Sequence, residues 1–385
     1  MIEALSPEVA ATIWPIADQF AHQGQITGLK RFGNGNINDT FLVSLDDVAQ
    51  TYDVAQTCFV LQRINTQVFH NPQGVMSNMV VLTEHIHQKW HEHADNRRWE
   101  MPRVILTRQQ QDHWDSGTGD YWRAISYIEG SESFDTLQDL DHAREVGYAL
   151  GTFHHLVSDL DPQRLVDTLP GFHITPQYLT QYQQVLETIP TSRLTSPEVK
   201  FCLDFVRERA AWCSVLETAK AQGKLPLRLM HGDPKVNNIM FDCATGKAVS
   251  VVDLDTAKPG LIHYDLGDCL RSGCNPLGED TTDWQQVRFE PDLCRSILAG
   301  YCGVAQGFLT PADYDYLVAA IRLIAFELGL RFFSDYLAGN QYFKVKYAEH
   351  NLARALVQFQ LTASIEGQAE SLEKLVQSLR QGRTF

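Results

Sequence analysis

The chain has 385 residues, 44% of them hydrophobic and 21% charged, with a formal net charge of −15. Such a chain can bury a large core in one or two domains, while its acidic balance excludes an extended nucleic-acid surface, which needs clustered Lys and Arg. No apolar run is long enough to span a bilayer, so no membrane partner is expected.

Residues 27 to 65 alternate turn residues with strand-like runs, among them Asp39 to Val43 and Cys58 to Leu61. Gly33-Asn34-Gly35-Asn36 separates two of these runs. Residues 77 to 91 carry Met79, Val80, Leu82 and Ile86 at helical spacing. Residues 101 to 107 and 121 to 128 predict further strands with polar turns between them. The first part thus predicts a small antiparallel sheet with one helix. From Asp139 onward helical periodicity dominates, over Ala143 to Leu156, Ser196 to Lys220, Leu293 to Tyr301, Ala312 to Ala338 and Tyr347 to Ile365. The interruption is an apolar run from Leu225 to Met230, a polar loop, and two strand-like runs, Ile239 to Phe241 and Ala248 to Val252. The turn Asp242 to Lys247 joins those runs into a hairpin. The expected class is α+β in two parts, 1–130 and 131–385.

The chemistry concentrates in that interruption, His231-Gly232-Asp233-Pro234-Lys235-Val236-Asn237-Asn238, with Asp253 at the end of the hairpin. One short hairpin brings Asp233, Asn238 and Asp253 together. Phosphoryl transfer needs a carboxylate to orient the accepting hydroxyl and hard oxygen ligands for Mg²⁺. Asp233 fits the first role, Asn238 and Asp253 the second, and Asp255 offers a further metal carboxylate. Taken singly these aspartates are ordinary turn residues; as a set with His231 and Gly232 they are not. No Gly-x4-Gly-Lys-Ser/Thr occurs, which argues against a P-loop kinase. Taken alone, Gly33 and Gly35 fit either an ordinary hairpin turn or a loop whose backbone amides cover ATP phosphates. The eight cysteines include no Cys-x2-Cys pair, and the N-terminus lacks the basic region and apolar stretch of a secretory signal. A reducing cytoplasm is the expected compartment.

His-Gly-Asp-x4-Asn followed by an apolar strand ending in Asp resembles the aminoglycoside phosphotransferase and choline kinase branch of the protein-kinase-like fold. Pro259 to Asp268 is similar to the closing element of that branch, in which Asp265 would brace the loop that begins at His231. Within the branch, Gly33 to Phe41, Leu61 to Phe69 and Gly329 to Leu337 resemble N-acetylhexosamine 1-kinases. The resemblance implies a bilobal enzyme using ATP and Mg²⁺ on a small-molecule sugar. Tyr127 and Ile128 would lie in the hinge against adenine. Arg63, or Gln62 if the register shifts by one, would meet the phosphates, with Glu84 as partner. Asn36, Arg331 and Tyr342 would bind the acceptor. Against this, Glu327 and Arg331 are spaced for a simple i,i+4 ion pair.

Overall fold

The computed structural model describes residues 3–33, 37–46, 57–92, 97–117 and 119–382. They form two compact units. The first comprises Met1–Ser131 with two later returns, Gln163–Pro170 and Leu254–Lys258; the second comprises Glu132–Pro162, Gly171–Asp253 and Pro259–Phe385. A single cut near residue 130 therefore misses two segments of the first unit.

The first unit is built on an antiparallel sheet of β1 (Glu3–Ala4), β2 (Ile26–Arg31), β3 (Asp39–Leu45), β4 (Cys58–Ile64), β5 (Val104–Ile105), β6 (Trp114–Asp115) and β7 (Tyr121–Ser126). Their order is β1-β2-β3-β4-β7-β5, with β6 pairing β7. Helix α1 (Pro7–Ala17) starts where the Ser6 side chain accepts from Val9 N and Pro7 takes a position that needs no donor. Its Ile13 and Ala17, with Phe20, cover Phe41, Val43, Phe59, Leu61, Trp122 and Ala124 on one sheet face. The Ile, Leu, Val and Phe side chains among them each contribute roughly 1.5–3 kcal/mol on burial. On the opposite face lies α2 (Pro72–Glu92), whose Val75 and Met76 pack with Ile64 and Tyr121.

Asn78 on α2 explains the two returns. Its buried carboxamide donates to the carbonyls of Val166 (2.8 Å) and Ala257 (3.0 Å) and accepts from Val166 N (2.9 Å). Lys258 Nζ adds contacts of 2.7 Å to both Asp167 and the Leu169 carbonyl.

A short strand, β8 (Ser131–Glu132), lies at the division between the units. The second unit then runs through α3 (Leu140–Leu156), α4 (Thr175–Thr188), α5 (Pro197–Arg209) and α6 (Val215–Ala221) to β9 (Arg228–Met230), β10 (Ile239–Asp242) and β11 (Ala248–Val251). After β12 (Lys258–Gly260) come α7 (Ile262–Gly273), α8 (Pro291–Ala305), α9 (Pro311–Asp315), α10 (Leu317–Leu337), α11 (His350–Gly367) and α12 (Ala369–Arg380). The expected helix over Ser196 to Lys220 is two helices joined by a tight turn at Ala210–Trp212. Helices α3 and α8 touch backbone to backbone. A Cβ on Gly147 would stand 1.8 Å from the Ile297 carbonyl, and one on Gly300 2.0 Å from that of Arg144. Only glycine permits that approach. Around α10, Phe326, Leu330 and Phe333 pack against Phe205 of α5 and Phe359 of α11.

Candidate active site

The site begins where β9 ends. Asn238 closes the loop that starts at His231, and Val252 N donates to the Asn238 carbonyl at 2.9 Å. Strands β10 and β11 pair Ile239 with Val251, so the hairpin returns the chain beside Asn238 and places Asp253 next. Asp253 has a left-handed backbone, φ 67°. That conformation costs a non-glycine residue on the order of 1–3 kcal/mol and concentrates at functional sites.

Two buried groups hold the loop. Asp265, on α7 and fully buried, accepts from His231 N (2.6 Å), Gly232 N (2.8 Å) and His154 Nε2 (2.8 Å). His231 sets one Nε2–H on the Val252 carbonyl (2.9 Å), and its Nδ1 accepts from Asp233 N (3.3 Å). One acceptor and one donor define a neutral Nε2–H tautomer. Burial pushes the ring's pKa down, in the same direction.

Asp233 is partly exposed. Asn238 Nδ2 donates to its carbonyl at 2.7 Å and to its Oδ2 at 3.3 Å. Lys235 Nζ lies 2.8 Å from the same Oδ2. Burial opposes that ammonium, but the Asp233 and Asp253 carboxylates outweigh it and raise its pKa, so Lys235 is charged at neutral pH. Lys235 went unassigned in the sequence, although its place two residues after Asp233 was visible. The Asn238 amide has a consequence for metal binding. With Nδ2 spent on Asp233, Oδ1 makes no hydrogen bond among the described residues. A free carboxamide oxygen beside the Asp253 carboxylate fits Mg²⁺.

Asp255 does not extend that set. It is buried in the first unit, where Arg123 Nη1 lies 2.5 Å from its Oδ1 and Asn38 Nδ2 donates to its Oδ2 at 2.7 Å. A carboxylate already neutralised by a guanidinium is a poor metal ligand, so the metal role expected of Asp255 is withdrawn. Arg63 is corrected for a similar reason. Its Nε donates to Asp39 at 3.0 Å and its Nη1 to Asp120 at 3.3 Å, at the rim of the α1-covered face. Strand alternation puts Gln62, not Arg63, on the α2 face. There Gln62 pairs in register with Arg123 and accepts from its Nε at 2.9 Å. The cation of that face is thus Arg123, on the neighbouring strand. An Arg inside the apolar run Tyr121–Ser126 was the available signal. Glu84 is exposed and makes no ion pair among the described residues, so it does not serve Arg63.

Gly33 turns with φ 75° after β2; Gly35 and Asn36 lie outside the described residues. Tyr127 and Ile128 follow β7. Tyr127 sits edge-on to Phe32 with ring centroids 5.7 Å apart. Ile128 is buried, and its carbonyl accepts from Ser131 Oγ at 2.6 Å.

On α10, Glu327 and Arg331 do not form the i,i+4 pair their spacing suggests. Glu327 is taken by His173 (2.9 Å) and by the Thr175 hydroxyl (2.6 Å). Arg331 has no hydrogen bond or ion pair among the described residues. Its guanidinium carbon lies 5.1, 5.0, 6.0 and 5.4 Å from the ring centroids of Phe172, Tyr178, Tyr342 and Phe343. Asp335, one turn further, accepts from the backbone amides of Gln341, Tyr342 and Phe343 and from Asn351 Nδ2. It ties the segment bearing Tyr342 back to the helix.

A model of the phosphotransferase enzyme family matches residues 28–295. Among solved structures, the chain is similar to a choline kinase from Cryptosporidium parvum Iowa II, with a TM-score of 0.60 at 13% identity over 96% of this chain and 99% of that one. It is also similar to an aminoglycoside phosphotransferase from Alicyclobacillus acidocaldarius, with a TM-score of 0.58 at 15% identity over 98% and 96%. A GDP complex of aminoglycoside 2'-phosphotransferase-IIIa gives 0.53 at 14% identity over 97% and 99%. Those likenesses fix the fold. The family match, which spans most of the chain, shows that this protein belongs to the phosphotransferase enzyme family.

Proposed function

We propose that the protein transfers the γ-phosphoryl group of ATP to the anomeric hydroxyl of an N-acetylhexosamine, giving the sugar 1-phosphate. Asp233 orients the acceptor hydroxyl through its partly exposed carboxylate and takes the proton late, as the bond to phosphorus forms. Lys235 pairs with Asp233 and presents a cation to the transferring group's oxygens. Asn238 Oδ1 and the Asp253 carboxylate would hold Mg²⁺, which when bound screens the negative charge of the triphosphate. The nucleotide's base is assigned to backbone groups around Tyr127 and Ile128, and its phosphates to the turn that opens at Gly33.

The observation that carries the choice of acceptor is the state of Arg331. Four aromatic rings are the kind of cage that binds a quaternary ammonium, but here the protein's own guanidinium fills it. The nearby carboxylates already have partners, Glu327 in His173 and Thr175, and Asp268 in Arg271. A buried Arg with no hydrogen bond or ion pair among the described residues disfavours a cationic acceptor and favours hydroxyl and acetamido oxygens, which accept hydrogen bonds. The Tyr342 side chain, exposed beside Arg331, would add a hydroxyl to that site.

An ATP-consumption screen over free sugars, choline, ethanolamine and aminoglycosides tests this. N-acetylhexosamines should stand out. Preferential turnover of the amines would remove the neutral-acceptor reading while leaving the phosphotransferase chemistry in place.

A further inference from the structure

His173 stands between Phe172 and α4 with a left-handed backbone, φ 65°, a second strained residue in the same unit as Asp253. Its ring is buried, 5.5 Å from the Tyr264 ring and nearly parallel to it. Nε2 lies 2.8 Å from the Gly232 carbonyl and Nδ1 2.9 Å from Glu327 Oε1. A carbonyl oxygen and a carboxylate oxygen both accept. A neutral imidazole has one N–H and can satisfy only one of them. The other oxygen of Glu327 already accepts from the Thr175 hydroxyl at 2.6 Å. His231, with one donor and one acceptor facing it, needs no second proton.

We propose that His173 is held as a buried imidazolium and acts as a positioning residue, tying the Gly232 peptide, and through it Asp233, to α10 by way of Glu327. The acceptor helix and the catalytic loop are then joined by a single protonated ring. The loss of that proton at alkaline pH loosens the loop and sets the alkaline limb of transfer. The inference rests on the reading of Asp233 as the acceptor's base.

The groups that bear on the ring come from every side. From α10 they are Glu327 and, one turn on, Arg331; from α7, Asp268 and Tyr264, whose hydroxyl is bound to Glu217. Thr175 and Tyr178 come from α4, and the Gly232 carbonyl from the catalytic loop. Burial presses the ring toward neutrality. The Glu327 carboxylate and Asp268 more than offset this, so the ring's pKa ends above the ordinary histidine value. For a group raised in the fold, the interaction is complete below its ordinary pKa of about 6.5 and is lost as pH rises through the raised value.

The test is imidazole nitrogen NMR on ¹⁵N-histidine-labelled protein without ATP or acceptor, with His173 assigned by its absence in His173→Gln. Both nitrogens should show imidazolium shifts at pH 7.5, and their change at higher pH should track the alkaline limb of kcat. Glu327→Gln should move the ring's titration and the kcat limb to lower pH together, by about one unit or more, a tenfold or greater loss of proton affinity. Nucleotide affinity should stay within about twofold, since neither residue is assigned to the nucleotide. A one-proton nitrogen pattern at pH 7.5, or an unmoved limb in Glu327→Gln, overturns the proposal. If His173→Gln does not fold, the ring is assigned by its response to Glu327→Gln. The nitrogen shifts need no turnover. Retained turnover in Asp233→Asn would therefore remove the base assignment, while the imidazolium would stand or fall on its own signals.

Discussion

Asp335 is the residue through which the segment bearing Tyr342 can be loosened without touching Asp233. Its Oδ1 accepts from Gln341 N and Tyr342 N, both at 2.8 Å, and its Oδ2 from Phe343 N and Asn351 Nδ2, both at 2.9 Å. Only 7% of the residue's surface is exposed. Hydrogen bonds to a charged group contribute roughly 1.5–3 kcal/mol each, and orphaned buried donors cost about 1–3 kcal/mol each. Four simple losses would sum to more than a domain can bear. The segment from Gly339 to Tyr347 is largely exposed, so it has a cheaper route: it swings into water and rehydrates its amides. The expected global cost of Asp335→Ala is therefore about one or two such bonds, roughly 2–4 kcal/mol. Asp335→Asn is not conservative here, because its NH₂ would face two donors. Either variant should raise the KM for the acceptor by an order of magnitude or more. KM for ATP should change little, and hydrogen exchange should accelerate at residues 341–343. Unchanged exchange there, together with an unchanged acceptor KM, would refute the idea that this carboxylate positions Tyr342.

Three further outcomes follow from the geometry. Asp233→Asn should keep ATP binding and lower turnover by about 10²–10⁴-fold; near-normal turnover in a single-turnover assay would end its role as base. Arg123→Met leaves the buried Asp255 without its cation and should cost about 3–5 kcal/mol, whereas Arg63→Ala, at the solvent edge, should cost under about 1 kcal/mol and leave nucleotide binding intact. Paired denaturant melts that failed to separate these two variants would contradict the assignment. Burial pushes His263 down to about 4. A depressed histidine is neutral in the fold, so its contribution is complete above about 6.5 and falls as pH drops toward 4, by on the order of 3 kcal/mol. Melting temperature should decline across that window, and His263→Leu should flatten the decline.

The placement of the loop from His231 to Asn238 was legible because its spacing is local. Asp233, Asn238 and Asp253 come together through one hairpin, and strand alternation with a six-residue turn was enough to see it. The long helices of the second unit were legible through their periodicity. What stayed hidden depends on partners distant in sequence. Arg63 and Gln62 are adjacent, and only the register with β7 shows that Gln62 shares its face with Arg123. Asp255 sits two residues from Asp253, yet Arg123 claims it from 132 positions away. The pairing of Glu327 with Arg331 was a sound expectation for an isolated helix; a tertiary contact 154 residues distant, His173, overrode it. Helix α1 was missed because Pro15 interrupts an otherwise periodic run, although Ser6-Pro7 marked its start. The two segments returning to the first unit depend on one buried carboxamide, Asn78, which carries no sequence pattern.

The most direct test of the central claim is phosphorus NMR of the product formed from ATP, Mg²⁺ and an N-acetylhexosamine. A phosphomonoester signal coupled to the anomeric proton is expected, formed by the native chain and absent with Asp233→Asn. A phosphate on any other sugar hydroxyl, or product formed only from an amino alcohol or an aminoglycoside, would contradict it.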